Sequence, residues 1–141
     1  MGIIGFAYNK ISGEKKKNPS GRIELKHNIT FTEVEETKVS FGNPNSGFAK
    51  IKFDFDILYG DDIGKISMSG EVVYSDTKEI IEEVIKGFKS NKNLPSNIRN
   101  LILKFVFDKS ILKALQISDE LNLPHPVPLT TLKTDAKKKG K

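Results

Sequence analysis

The chain changes its hydropathy period once, near Asp76, and that single switch limits the folds open to it. Before Asp76 apolar residues recur at every second position; after it they recur every three to four. Period two means strands with one buried face, and the later spacing means helices. Strands that follow one another with no helical segment between them cannot be parallel neighbours, so the expectation is an α+β fold: a four-stranded antiparallel sheet backed by two C-terminal helices.

The third strand is the most regular. Ala49, Ile51, Phe53, Phe55, Ile57 and Tyr59 alternate with Lys50, Lys52, Asp54 and Asp56, which predicts one wet face and one buried face. Gly60-Asp61-Asp62 closes a hairpin into the fourth strand, where Ile66, Met68, Val72 and Tyr74 alternate with Lys65, Ser67, Ser69 and Glu71. The first strand carries Ile4, Phe6 and Tyr8 on one face and runs to about Glu14. Lys15 to Gly21 then reads as a solvated hairpin end. In the second strand Ile23, Leu25, Ile29 and Phe31 share a face with His27, a position that suits a histidine bonded within the fold. The alternation decays from Thr32 to Thr37 and resumes at Val39 and Phe41, ahead of a turn or crossover loop from Gly42 to Gly47.

Asp76 followed by Glu79 has the spacing of a capping box, and Ile80, Ile81, Val84, Ile85 and Phe88 form the stripe of a first helix. Pro95 suits the first turn of a second. There Ile98, Leu101, Phe105 and Leu112 fall on one face, and Leu103, Phe107, Ile111 and Ala114 nearly opposite. A single sheet covers one face only. The second needs the other helix, a partner subunit or a bound ligand; an oligomer is expected, and Leu103, Phe107, Ile111 and Ala114 are its candidate interface. Prolines 124, 126 and 128 then hold the chain extended.

The residues that would do chemistry are scarce. No cysteine is present, and His27 and His125 lie far from any ligand-spaced partner, so no metal site is expected. No Gly-Lys-Ser/Thr phosphate loop occurs, and neither histidine has the neighbours of a nucleophilic triad; no cofactor and no catalytic residue are expected. Asp54 and Asp56 share their face with Lys50 and Lys52, which marks solvated charge and not an acid–base pair. The net charge of +5 is concentrated after residue 132, where five lysines stand against one aspartate. Nucleic-acid binders carry their excess on a folded face, and on the third strand aromatics and lysines point oppositely, so nucleic acid is not an expected partner. Residues 1–132 are read as one domain and 133–141 as a disordered basic tail. With no secretory signal and no spanning apolar run, a cytoplasmic protein without membrane insertion is expected.

In order of parts the chain resembles the SecB family of protein-export chaperones. The resemblance rests on Leu94-Pro95-Ser96-Asn97-Ile98 at the opening of a long helix, on Leu121-Asn122-Leu123-Pro124-His125-Pro126-Val127-Pro128-Leu129 at its exit, and on Tyr8-Asn9-Lys10-Ile11-Ser12 in the first strand. It implies an ATP-independent holdase, assembled as a dimer or tetramer, that keeps unfolded client proteins in apolar grooves. The groove positions it implies are Val39, Phe41, Phe48, Leu123, Val127 and Leu129. Family members engage the SecA export motor through acidic sheet residues, whereas this body is neutral, and Leu129 to Leu132 lacks the family's Asn-Phe; delivery to SecA is not implied. The alternatives are an oligomeric binder of a small ligand or single partner, and a basic nucleic-acid-associated protein.

Overall fold

Alternation in sequence becomes alternation in burial. The computed structural model describes residues 2–18, 23–38, 45–60 and 62–124. Strands β1 (Gly2–Lys15), β2 (Leu25–Thr37), β3 (Ser46–Tyr59) and β4 (Gly64–Thr77) precede helices α1 (Lys78–Asn91) and α2 (Ser96–Leu121). The strands make one antiparallel sheet in the order β1-β4-β3-β2. Along β3 every odd residue from Ala49 to Tyr59 is buried beneath the helices. Each Phe or Ile so buried contributes about 1.5–3 kcal/mol relative to exposure.

That order corrects one reading. Lys15 to Gly21 does not begin a hairpin, because β1 and β2 are the two outer strands. The connection crosses the sheet end instead. Its described ends are tied to the β3–β4 turn: the Lys16 N–H donates to the Ile63 carbonyl at 2.7 Å, and the Gly60 N–H donates to the Glu24 carbonyl at 2.8 Å.

Bulges explain where the sequence pattern faded. In β2 the register shifts between Phe31 and Glu33, so Leu25, Ile29 and Phe31 are followed on the same face by Val34, 4% exposed. The strand continues through the stretch where alternation seemed lost; Val39 and Phe41 lie outside the described residues. In β1 shifts follow Ile3 and Tyr8. Ile3, not Ile4, therefore faces the helices, opposite Tyr74, and Ile4 is left 47% exposed.

α1 is amphipathic as expected and buries Ile81, Val84 and Phe88. Its cap lies one residue beyond the predicted box. The Thr77 hydroxyl accepts from the Ile80 N–H at 3.3 Å, while buried Asp76 accepts from the Thr77 N–H and from the Tyr74 hydroxyl, both at 2.8 Å. α2 buries a row that runs between the two faces proposed for it and takes Ile98 from one and Ala114 from the other: Ile98, Ile102, Val106, Ser110, Ala114 and Ser118. Ala114 is fully buried in the chain's own core, so it is not an interface residue.

That row tapers from branched apolar residues to Ser and Ala, which lets the C-terminal half of α2 approach the sheet closely. A Cβ on Gly13 of β1 would sit 2.6 Å from the Ile117 side chain. The face away from the helices is polar. Lys50 pairs with Glu71 at 3.6 Å and Lys52 with Glu33 at 3.2 Å. Asp56 and Asp54 accept from Ser67 and Ser69 at 2.6 and 2.7 Å.

Close packing at the β1 bulge sets a test. A Cβ on Gly70 would lie 2.3 Å from the Ala7 carbonyl oxygen and 3.0 Å from the Tyr8 Cα, both backbone atoms. Gly70→Ala is expected to cost at least about 1–3 kcal/mol in urea unfolding. Gly2→Ala, whose Cβ meets nothing within 4 Å, should leave the midpoint unchanged.

Candidate functional site

The helices do not cover the sheet evenly. α1 lies over β3 and β2, and α2 lies over β1 and β4. The lower part of β2 is left at the margin. Its inward side chains Leu25, Ile29 and Phe31 stay half-buried, in contrast to the fully closed row of β3 beside them. On the flank of α2 toward them, Leu103 lines a cavity with Ile29 and Phe31, Phe107 meets His27, and Ile111 lies one turn further along; all three are half-buried. Together these residues line an apolar trough between an outer strand and a helix flank.

Phe107 spans the middle of the trough. Its ring meets His27 and Phe55 edge-on, each at 6.0 Å between centroids, while His27 stacks on Phe55 at 6.4 Å. His27 is thus engaged with aromatic rings as it stands exposed on β2. Beyond Phe107 the trough opens into a cavity of about 300 Å³ lined by Ile29, Phe31, Leu94 and Leu103, with Lys92 and Arg99 at its rim. α2 begins beside it with no acidic residue in its first turn and no side-chain cap on its N–H groups. This end of the trough has mixed walls, with Thr30 and Asn93 standing among the apolar residues, and carries two cationic side chains. Among the described residues β2 hydrogen-bonds only to β3, so its outer backbone edge is available to an added extended chain.

The opposite end is closed by the exit of α2. Asn122 takes the left-handed conformation at φ 55°, and the Leu123 N–H donates to the Ser118 carbonyl at 2.8 Å, the helix-stop arrangement in which the following apolar residue packs back. Leu123 is that residue, 5% exposed and seated against Gly64. The Tyr59 hydroxyl then donates to the Pro124 carbonyl at 2.6 Å. Tyr59 pairs with Leu25, which places the exit at the beginning of the trough.

The expected groove residues are therefore not one surface. Leu123 is a buried anchor. Phe48 lies half-buried on the polar sheet face, between Thr37 and Ser75, at the far end of β3 from Tyr59. Eleven strand residues separate those ends, about 36 Å at ~3.3 Å each. Val39, Phe41, Val127 and Leu129 lie outside the described residues. Of the expected interface, Leu103, Phe107 and Ile111 come together, but along the trough. Leu25, Ile29 and Phe31 were legible as a strand face; that the helices leave them uncovered was not.

A second apolar margin borders β1. Phe6 contacts Tyr8, Phe53 and Phe105 at 5.0, 5.7 and 5.4 Å between centroids, and the Tyr8 hydroxyl donates to the buried Ser110 hydroxyl at 3.3 Å. Beyond this layer Leu112 is 65% exposed, Leu101 46% and Ile11 42%. β1, 14 residues long, pairs with β4 alone among the described residues.

No family model matches the chain, and no curated protein matches it in sequence. Its fold does have a match among solved structures. The SecB-like chaperone Rv1957 of Mycobacterium tuberculosis, solved in complex with a ChAD peptide from the HigA1 antitoxin, superposes over 93% of this chain and 89% of its own at 10% identity, with a TM-score of 0.53.

Burial raises the Tyr59 hydroxyl from 10.0 to about 12, and Tyr74 likewise to about 12 through burial and then the hydrogen bond to Asp76. The folded pKa lies above the unfolded one, so this stability is complete below pH 10 and is lost as the pH rises toward 12. Tyr59→Phe should lower stability slightly at pH 8, by loss of the bond to Pro124, yet flatten the decline between pH 9 and 11. Urea unfolding at the three pH values checks this; a decline as steep as in the parent protein would count against it. The arrangement of four antiparallel strands and two helices is the SecB-like fold.

Proposed function

We propose that the chain is an ATP-independent chaperone of the holdase type, acting in the cytoplasm, that keeps extended apolar segments of non-native polypeptides in the trough between β2 and α2. One observation carries the reading: Leu25, Ile29 and Phe31 face Leu103, Phe107 and Ile111 across a strip that the protein's own core leaves open. A buried strand–helix contact would have closed it. A client segment lying there can add backbone hydrogen bonds to the outer edge of β2 while its side chains enter the trough. Sequence-independent backbone bonding and unshaped apolar walls suit promiscuous binding. The Mycobacterium tuberculosis neighbour was solved with a ChAD peptide from the HigA1 antitoxin, which supports a second reading: a binder dedicated to one partner peptide.

Self-assembly belongs on the other margin. The exposed Ile11, Leu101 and Leu112 beside the long outer strand β1 are the side chains that a second copy would cover, whereas Leu103, Phe107 and Ile111 are committed to the trough. A dimer or a tetramer would follow from strand pairing along β1 with burial of these residues. No helix among the described residues is long and apolar enough to cross a membrane.

Aggregation suppression of several unrelated denatured proteins tests the main reading. Phe31→Ser with Leu103→Ser should weaken client binding more than tenfold, because each apolar side chain lost from a buried contact is worth roughly 1.5–3 kcal/mol, while circular dichroism shows the fold retained. Binding of only one of many test chains would favour the dedicated partner; no binding at all would reject both. Separately, Leu101→Asp with Leu112→Asp should reduce the assembly to monomers in light scattering and leave the Leu103 flank intact. An unchanged mass would move the interface elsewhere.

A further inference from the structure

We infer that the trough selects by charge as well as by apolarity: its clients are extended segments with an acidic side chain at one end of an apolar run, the carboxylate held by Lys92 and Arg99. This selectivity presupposes that the trough is the client site, and it names the chemistry of the client.

The charge at the Phe31 end of the trough is unbalanced. The cavity there holds Lys92 and Arg99 but has no Asp or Glu among its lining residues. Neither cation has a carboxylate partner among the described residues. Glu33 of β2 and Asp108 of α2, the two elements that form the trough, are already bonded to Lys52 and Lys104 at 3.2 and 2.8 Å. Two other cavities are balanced: beside the β3–β4 turn Lys16 pairs with Asp62 at 3.2 Å, and between β2 and α1 Lys86 and Lys89 stand among three glutamates. The cavity beside Leu112 also lacks acids, but it belongs to the β1 margin assigned to a second copy.

The backbone fixes where both cations start. Lys92 ends α1 in the left-handed conformation at φ 59°, its N–H donates to the Phe88 carbonyl at 2.8 Å, and its ammonium lies 5.8 Å from the centre of the Phe88 ring. Arg99 follows in α2, where its N–H donates to the Pro95 carbonyl at 2.8 Å. A guanidinium can give a carboxylate two parallel N–H bonds, a geometry that a point charge lacks. Both side chains are exposed, so they contribute selectivity more than affinity.

The spacing of the walls sets where the acid must stand. Arg99, Leu103, Phe107 and Ile111 recur every fourth residue along α2, a step of about 6 Å at ~1.5 Å per residue. Side chains on one face of an extended chain recur every second residue, about 6.7 Å at ~3.3 Å each. The strand wall keeps the same step: Leu103 shares the cavity with Ile29 and Phe31, and Phe107 meets His27. A segment with its carboxylate on Arg99 therefore brings the side chains two, four and six residues away beside Leu103, Phe107 and Ile111. This pattern holds for either chain direction.

The chain has no tryptophan, so a tryptophan in the ligand reports binding directly. The probes are Glu-Ser-Leu-Ser-Trp-Ser-Leu and its reverse, with blocked termini, and the same peptides with Gln or Lys in place of Glu, each titrated with the full-length protein. In the direction that binds better, the Glu peptide should bind at least about threefold tighter than Gln and about tenfold tighter than Lys. Raising the salt from about 0.02 to 0.5 M should shrink that advantage. Lys92→Glu with Arg99→Glu should reverse the order, whereas Lys109→Glu with Lys113→Glu, an equal change of net charge on the β1 margin, should preserve it. A parental thermal unfolding midpoint shows that each variant is folded; if the first pair falls short, Lys92→Gln with Arg99→Gln takes its place and should abolish the preference. A preference for Glu that is reversed or abolished at Lys92 and Arg99 and kept at Lys109 and Lys113 supports the proposal. Equal binding of the Glu, Gln and Lys peptides leaves the trough as a client site and overturns its charge selectivity. A preference that survives the change at Lys92 and Arg99, or is lost equally in both variants, also overturns it. Binding of none of the peptides rejects the trough as a client site and the selectivity with it.

Discussion

The placement of α2 is the constraint from which the rest follows. A helix with apolar residues on both flanks has no preferred face by hydropathy alone, so side-chain size decides which row meets the sheet. The i, i+4 row from Ile98 to Ser118 does so, and its change from Ile and Val to Ser and Ala lets the helix close onto β1 and β4 where Gly13 and Gly64 make room. With α2 held there, and α1 over the end of β2 at Glu35 and Glu36, the lower part of β2 is left uncovered. The trough is a consequence of packing economy elsewhere: the same small residues that seat the helix over β1 and β4 hold it away from β2.

This arrangement keeps apolar surface accessible without loosening the core. The strip along β2 is bordered by rows that are fully closed, β3 on one side and the buried row of α2 on the other. Phe107 is held by contacts with Phe55 and His27, and Leu123 and Tyr59 brace the exit. A site for varied extended chains needs this combination, because walls that collapsed in the absence of a client would have to be reopened at a cost in affinity. Lys92 and Arg99 at the cavity, and ion pairs on the opposite sheet face, keep the unliganded protein from presenting one continuous apolar surface.

Much of the fold was legible. The period change at Asp76, the alternation of β3 and β4, and Pro95 at the start of α2 gave the class, the element order and the buried face. What failed had local causes. The bulges after Phe31 and in β1 shift side-chain parity by one, which alternation cannot register, so β2 seemed to stop early and Ile4 was put on the wrong face. The charge, proline and glycine of residues 15–21 resembled a hairpin end because a crossover and a turn have the same composition. For α2, two apolar flanks were correctly seen, but the row between them includes Ser110 and Ser118, and serine carries no hydropathy signal for burial.

The candidate site was less legible, for a reason that is itself physical. Leu123 has the composition of a groove residue and the position of a helix stop; only the left-handed Asn122 and the bond from Leu123 to Ser118 distinguish the two. Phe48 continues the run of aromatics on β3 in composition, yet its even number puts it with Lys50 and Lys52 on the polar face. Conversely, Ile29 and Phe31 look in sequence like any strand core. Whether an inward-facing residue is core or site depends on what lies above it, and that is set by a helix seventy residues away along the chain, as in the facing of Phe31 and Leu103. A non-local contact that is missing leaves no trace in local pattern. The uncovered margin therefore had to be found by asking which predicted buried faces the helices fail to reach, and the lower part of β2, at the end of the strand order and past the reach of α1, is a face that the helices leave uncovered.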